Sequence, residues 1–340
     1  MSGRLDSKVT IWTLAADLGL PQSEKPTRTI LSFVTRRVKG IAKKFSCTDL
    51  NGLLGAVANE VGTIFEEIHS KEYLESIQAK YILKGEKGFA NLEDDLRGPR
   101  DYAITIDRKH RESWEPQFVS VIDSRGDKIF RSYFSKWHEL AHLLSLTSQM
   151  RLEFRRSHSS GANQDPEERL MDVIAGELGF LPDFLPDNLR GDISFGVIEK
   201  IRQEYCPTAS RQAATIGIVK SLPQPCILLQ AELALRKKEA SSLRQMVLDV
   251  GLVEPVPELR AVHVTVNDAA KEEGILFHKQ WRVPSESVIS RVFASGGDGE
   301  SLEDLSWWTT SSGSRLGACA VTVRTRKNWE AVFALLIPRL

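Results

Sequence analysis

Three things are scarce in this sequence, and each absence removes a class of protein. Cysteine is the first: there are four, Cys47, Cys206, Cys226 and Cys319, far apart and with no Cys-x-x-Cys pair among them. That argues against a disulfide scaffold and against a thiolate-ligated zinc site, and it suits reduced thiols in cytosol. Net charge is the second. Lys+Arg and Asp+Glu both number 45, so no global field draws the chain to nucleic acid, membrane or acidic substrates, and a charged partner must meet a local patch. The third is a long apolar run. Nothing approaches the ~18 consecutive apolar residues of a membrane helix. The opening segment, MSGRLDSKVTIWTLAADLGLP, mixes charges into its apolar residues and lacks the h-region of a signal peptide. The expectation is a cytoplasmic protein with no membrane partner. Internal repeats and long low-complexity tracts are missing as well.

What is present is a chain of 340 residues, 41% hydrophobic, long enough for two ordinary cores. Residues 27–44 place Ile30, Leu31, Val34, Val38, Ile41 and Ala42 at helical spacing, which predicts an amphipathic helix broken near Gly40. Its Arg36, Arg37, Lys39, Lys43 and Lys44 read as a solvated face, so direct nucleic-acid binding is not expected. A second helix is expected from Leu50 to Ile68. Between residues 100 and 134 the period changes to that of extended chain, over Tyr102–Ile106, Phe118–Ile122 and Lys128–Phe134, with Ser124–Asp127 as a turn. This predicts a small, partly antiparallel sheet running into the helix of His138. Further helices are expected at 166–181, 193–205 and 210–219. After residue 225 come expected strands at Val262–Val266, Gly274–Trp281, Ala318–Thr325 and Ala331–Ile337, with a Gly- and Ser-rich loop over 295–317.

The chemistry concentrates in His138-Glu139-Leu140-Ala141-His142. Histidines four apart stack on one face of a helix and can reach one metal ion, while Glu139 is rotated by about 100° and sits beside it. In such a site zinc lowers the pKa of a bound water from about 15.7 to about 7 and polarises the scissile carbonyl, and the Glu takes the water's proton. Trp137, Leu140, Ala141, Leu143, Leu144 and Leu146 are the residues of a buried helix. The bland alternative is two satisfied core histidines beside an incidental glutamate.

Catalytic zinc takes three protein ligands and keeps a fourth position open. On the next helix, Glu168, Asp172, Ala175 and Gly179 share one face, whose small residues would let it approach the His138 helix closely. Glu168 is the candidate third ligand, with Asp172 as the acceptor for a ligand histidine's N–H. The competing role for Glu168 is structural: Asp165 at N-cap, Pro166 at N1 and Glu168 at N3 form a capping-box pattern, and in that case Glu167 is the fallback ligand. Tyr133 and His158 are weaker candidates for stabilising an oxyanion. Ser159-Ser160 has no base partner for a serine mechanism.

The segment Phe134 to Pro182 resembles the ImmA/IrrE metallopeptidases. The family's pattern is Phe-Thr-x-x-His-Glu-x-x-His followed by a Glu-bearing helix; here Phe134-Ser135 stand before His138-Glu139-x-x-His142, Glu168 follows on a helix running through Ile174-Ala175-Gly176-Glu177-Leu178 to Leu181-Pro182, and Ile104-Thr105-Ile106-Asp107 resembles the preceding strand. Departures are Ala141 where the family commonly has Gly, Ile174 in place of Phe, and one additional residue before Pro182. The resemblance covers about 100 residues. It implies a zinc endopeptidase that cleaves a helix-turn-helix repressor. The expected fold is α+β, a zincin-like core of small sheet and active-site helices followed by a C-terminal mixed α/β region. The expected division is 1–190 peptidase, 191–224 helical connector open to a helix-turn-helix reading, and 225–340 sensory or partner-binding. The alternative is a non-proteolytic zinc-binding regulator acting by protein–protein interaction.

Overall fold

The computed structural model describes residues 3–98, 101–145, 154–157, 165–186, 191–236, 256–310 and 313–339. Among these the chain is α+β, with eleven α-helices and two sheets. It divides into two compact units, Met1–Leu185 with Ile201–Gly217, and Pro186–Lys200 with Ile218–Leu340. No helix among the described residues is long and apolar enough to cross a membrane.

The first unit opens with α1 (Gly3–Asp17), α2 (Pro26–Lys44) and α3 (Leu50–Val61). Pro26 starts α2 at a position that needs no amide donor, and Ile30, Val34, Val38 and Ile41 bury one stripe. The helix runs unbroken through Gly40, because its buried stripe continues on both sides. Its basic face is largely occupied: Arg37 donates to the Leu144 carbonyl at 2.9 Å, Lys39 meets Asp183 and Lys44 meets Glu60. The helix expected to reach Ile68 stops at Val61. Gly62, at φ 74°, closes it by donating to the Ala58 and Asn59 carbonyls, a left-handed cap that glycine adopts without penalty. β1 (Thr63–Ile68) follows.

After α4 (Lys71–Ile82) and the short α5 (Leu92–Asp95) come β2 (Asp101–Asp107) and β3 (Phe118–Asp123). With β4 (Phe154–Ser157) they form a sheet ordered β1-β3-β2-β4, with β1 parallel to β3 and the other pairs antiparallel. The expected strand at Lys128–Phe134 is instead a 3-10 turn, Gly126–Arg131, leading into α6 (Ser132–Leu144). Gly126 turns the chain at φ 53°. The Lys128 ammonium then ties the segment down, its three N–H groups shared among the carbonyls of Leu96, Gly98 and Asp101 and the Asp123 carboxylate at 2.7–3.1 Å. Alternation along the strands sorts side chains to two faces. Ile104, Ile106, Val119 and Val121 join Leu74, Ile77, Tyr81 and Phe89 in one apolar core. Thr105 and Ser120, paired across the strands, point to the opposite face.

α7 (Pro166–Leu178) ends at Gly179, before Pro182. α8 (Phe195–Tyr205) and α9 (Arg211–Ser221) each span a division between the units. The returning stretch buries Ile201, Cys206, Ala209 and Ala214. At Gly217 an added Cβ would lie 2.1 Å from the Phe180 ring, so glycine is required there.

The second unit is built on an antiparallel sheet ordered β6-β5-β9-β8-β7. Its strands are β5 (Ile227–Ala234), β6 (Glu258–Val266), β7 (Asp298–Asp304), β8 (Ala320–Asn328) and β9 (Ala331–Pro338), with α10 (Asp268–Glu272) and α11 (Val288–Ser295) between them. Two expectations fail here. Gly274–Trp281 is not a strand: Gly274 turns at φ 74°, and of this stretch Gln280 and Trp281 alone bond to β6. The predicted loop over 295–317 contains β7, whose Asp298 and Glu300 face Arg326 and Arg324 across β8. Cross-strand charge pairs hold this strand where hydrophobic alternation is weak.

Candidate metal centre

The site begins with α6, on which every residue from Trp137 to Leu144 is buried. A spacing of four residues puts the His138 and His142 rings on one face with centroids 4.9 Å apart and their Nε2 atoms separated by 3.1 Å. α7 brings the third group. The Glu168 Oε2 atom lies 3.2 Å from His138 Nε2, and Oε1 lies 3.3 Å from His142 Nε2. Close approach of the two helices depends on small residues: Ala175 is fully buried, and a Cβ at Gly179 would come within 3.1 Å of Trp137 and 3.4 Å of Tyr133. Asp165 caps α7 by accepting from the Glu167 amide at 2.9 Å. The Glu168 carboxylate faces the histidines.

Asp172, one turn on, lies 3.0 Å from His138 Nδ1. A carboxylate at that distance takes the Nδ1–H and leaves the Nε2 lone pair directed into the cluster. The donor set is therefore two imidazole nitrogens and a carboxylate gathered within 4.8 Å of one another. Such a gathering of acceptors needs a cation or protons between its members. Ligand atoms about 2.0–2.1 Å from a tetrahedral ion stand about 3.3–3.4 Å apart, close to the separations found. His138, His142 and Glu168 thus form a group that could hold a metal ion. With protons in place of a metal ion between these groups, burial would raise the Glu168 carboxyl, but the hydrogen bonds it then accepts from His138 and His142 outweigh this and hold it well below the usual carboxylate range. Glu167 stands outside this group, and burial pushes its carboxyl up against the opposing pull of His142.

Glu139 is fully buried between α6 and the sheet. Its Oε2 accepts from the Thr105 hydroxyl at 2.6 Å, while Oε1 has no hydrogen-bond partner among the described residues. Thr105 Oγ1 is 2.7 Å from Ser120 Oγ, which is 3.0 Å from Thr63 Oγ1. Each hydroxyl has one proton. Because Thr105 gives its proton to the carboxylate, Ser120 donates to Thr105, and Thr63 shares its proton between Ser120 at 3.0 Å and the Ile64 carbonyl at 3.3 Å, so the hydroxyls run toward Glu139 from three strands. Thr105 entered the sequence reading only as part of a strand. Its one polar signal, a threonine facing the helix side by strand alternation, becomes informative only once the pairing is known.

Tyr133 donates to the Gly179 carbonyl at 2.6 Å, and burial raises its phenol, so it fastens the end of α7. His158, Ser159 and Ser160 lie outside the described residues. Comparison with protein-family models and with curated proteins finds no match to this chain.

Proposed function

We propose that the chain is a zinc-dependent endopeptidase making a limited cleavage in a regulatory protein, with a helix-turn-helix repressor as the substrate that the family resemblance implies. The observation that carries this reading is the meeting of His138, His142 and Glu168 beside a buried glutamate with one oxygen held and the other unpartnered among the described residues. The first three residues would hold the ion, and zinc suits two imidazoles and one carboxylate. When bound, zinc supplies Lewis acidity to a peptide carbonyl and makes a water more acidic.

The remaining work belongs to the chain. Glu139 Oε1 accepts a proton from the attacking water and returns it to the departing amine nitrogen. Thr105 fixes Oε2, which leaves Oε1 as the basic atom. Asp172 keeps the His138 proton on Nδ1. β4 is an edge strand paired only with β2 among the described residues, and an extended substrate segment could add to its outer side by main-chain hydrogen bonds. Edge strand, α6 and α7 together make the zincin-like core of this reading.

Purified protein should contain one zinc per chain and should cut a repressor encoded beside its gene, with cleavage stopped by a chelator. Glu139→Gln should retain zinc and lose cleavage by about 10²–10⁴-fold. Cleavage that survives the substitution removes Glu139 from the mechanism. A partner bound but left uncut, with Glu139→Gln indistinguishable from wild type, supports the zinc-binding regulator that acts by protein–protein interaction.

A further inference from the structure

The second unit holds a cavity of about 310 Å³ whose described lining contains Arg236, Arg260 and Arg282 and no carboxylate. Arg260 stands on the edge strand β6. Arg282 lies opposite it in a segment bonded to that strand by Gln280 N–H to the Ala261 carbonyl, at 2.7 Å, and Ala261 N–H to the Trp281 carbonyl, at 3.0 Å. Like charges directly opposite on paired strands repel. Glu258 is shared between them, one oxygen on Arg260 and the other 3.1 Å from Arg282. Among the described residues one carboxylate serves these two guanidiniums, which leaves the pair positive, and Arg236, which has a partner of its own, also lines the cavity.

Arg260 is 2% exposed. It donates Nη1–H to the Gln280 carbonyl at 3.0 Å, while its Nε has no acceptor among the described residues. A buried donor without an acceptor costs about 1–3 kcal/mol. Gln280 itself sits at φ 71°, a left-handed conformation that costs a non-glycine residue about 1–2 kcal/mol. Beside these groups Trp281, 5% exposed and packed on Phe277 at 4.8 Å and on His278 at 5.4 Å, also lines the cavity. Small-molecule sites begin at about 300 Å³. At about 310 Å³ this one stands at the lower end of that range.

We infer that the cavity binds a small planar anion, with an aromatic ring against Trp281 and a phosphate or carboxylate on the arginines. The inference is independent of the peptidase reading. The test is calorimetric titration of the full chain at low salt with adenosine 5′-monophosphate, salicylate, adenosine and inorganic phosphate. One of the two ring-bearing anions should bind with one-to-one stoichiometry, with adenosine and phosphate at least about 10-fold weaker. Tight binding of the nucleotide identifies a phosphate ligand, and tight binding of salicylate a carboxylate. Arg282→Gln, at a side chain 62% exposed, should weaken binding by about 10-fold or more while leaving the melting temperature of the ligand-free protein unchanged. Should that variant fail to fold, Arg236→Gln reads the same effect. The inference is overturned if neither anion binds at millimolar concentration, if adenosine binds as well as its monophosphate, or if the folded arginine variant binds as wild type.

Discussion

The two faces of the four-stranded sheet are made by alternate residues of the same strands. On one, Ile104, Ile106, Val119 and Val121 pack with α4 and the residues after it. On the other, Thr105 and Ser120 continue a line of hydroxyls from Thr63 to Glu139. All are buried, so exposure does not distinguish the faces. Chemistry does. The apolar face gains stability from area removed from water, whereas the polar face must satisfy each buried group and is organised around a carboxylate.

This contrast can be broken from either side. Ile104→Ala should have the largest effect on stability, about 2–5 kcal/mol in denaturant unfolding, with zinc stoichiometry unchanged. Thr105→Val keeps the shape but strands the Glu139 Oε2 atom. It should cost about 1–3 kcal/mol in the metal-free protein, and Thr105→Ser should restore most of it. If Thr105→Val is neutral, the hydroxyl line has no energetic role. Asp172→Asn should leave folding nearly intact and weaken zinc by about 10–100-fold in a competition titration; unchanged affinity would separate Asp172 from the metal centre. The smallest effect belongs to pH. Burial raises the Asp123 carboxyl, but its bonds to Arg125 and Lys128 outweigh this and set it below its usual value. A depressed folded-state pKa gives stability that is present above the unfolded value of about 3.9 and lost as pH falls through the folded one. Acid unfolding of Asp123→Asn should therefore be less steep below about pH 4.

The parts of this arrangement that local spacing encodes were legible in the sequence. His138 and His142 need only one helical turn to meet, and Ala175 and Gly179 mark a close helix contact by their size. The alternation in β2 and β3 was equally plain. What escaped depends on partners far along the chain. Lys128–Phe134 has residues suited to a strand, yet four acceptors for Lys128 draw it into a turn. β5, with its Leu and Ala, has no strong strand preference and is held by β6 and β9 on its two sides. Propensity yields to tertiary pairing in such strands. The hydroxyls behind Glu139 come from three separate strands, so no single window of sequence contains them.

The return of Ile201–Gly217 to the first unit has a consequence in time. A ribosome that has released the chain through Leu185 has already delivered His138, His142 and Glu168, but not the buried Cys206 and Ala214 or the glycine that lies against Phe180. During synthesis, the residues of the candidate metal centre precede by some thirty positions the segment that completes their own unit, and the first stretch of the second unit is made in between.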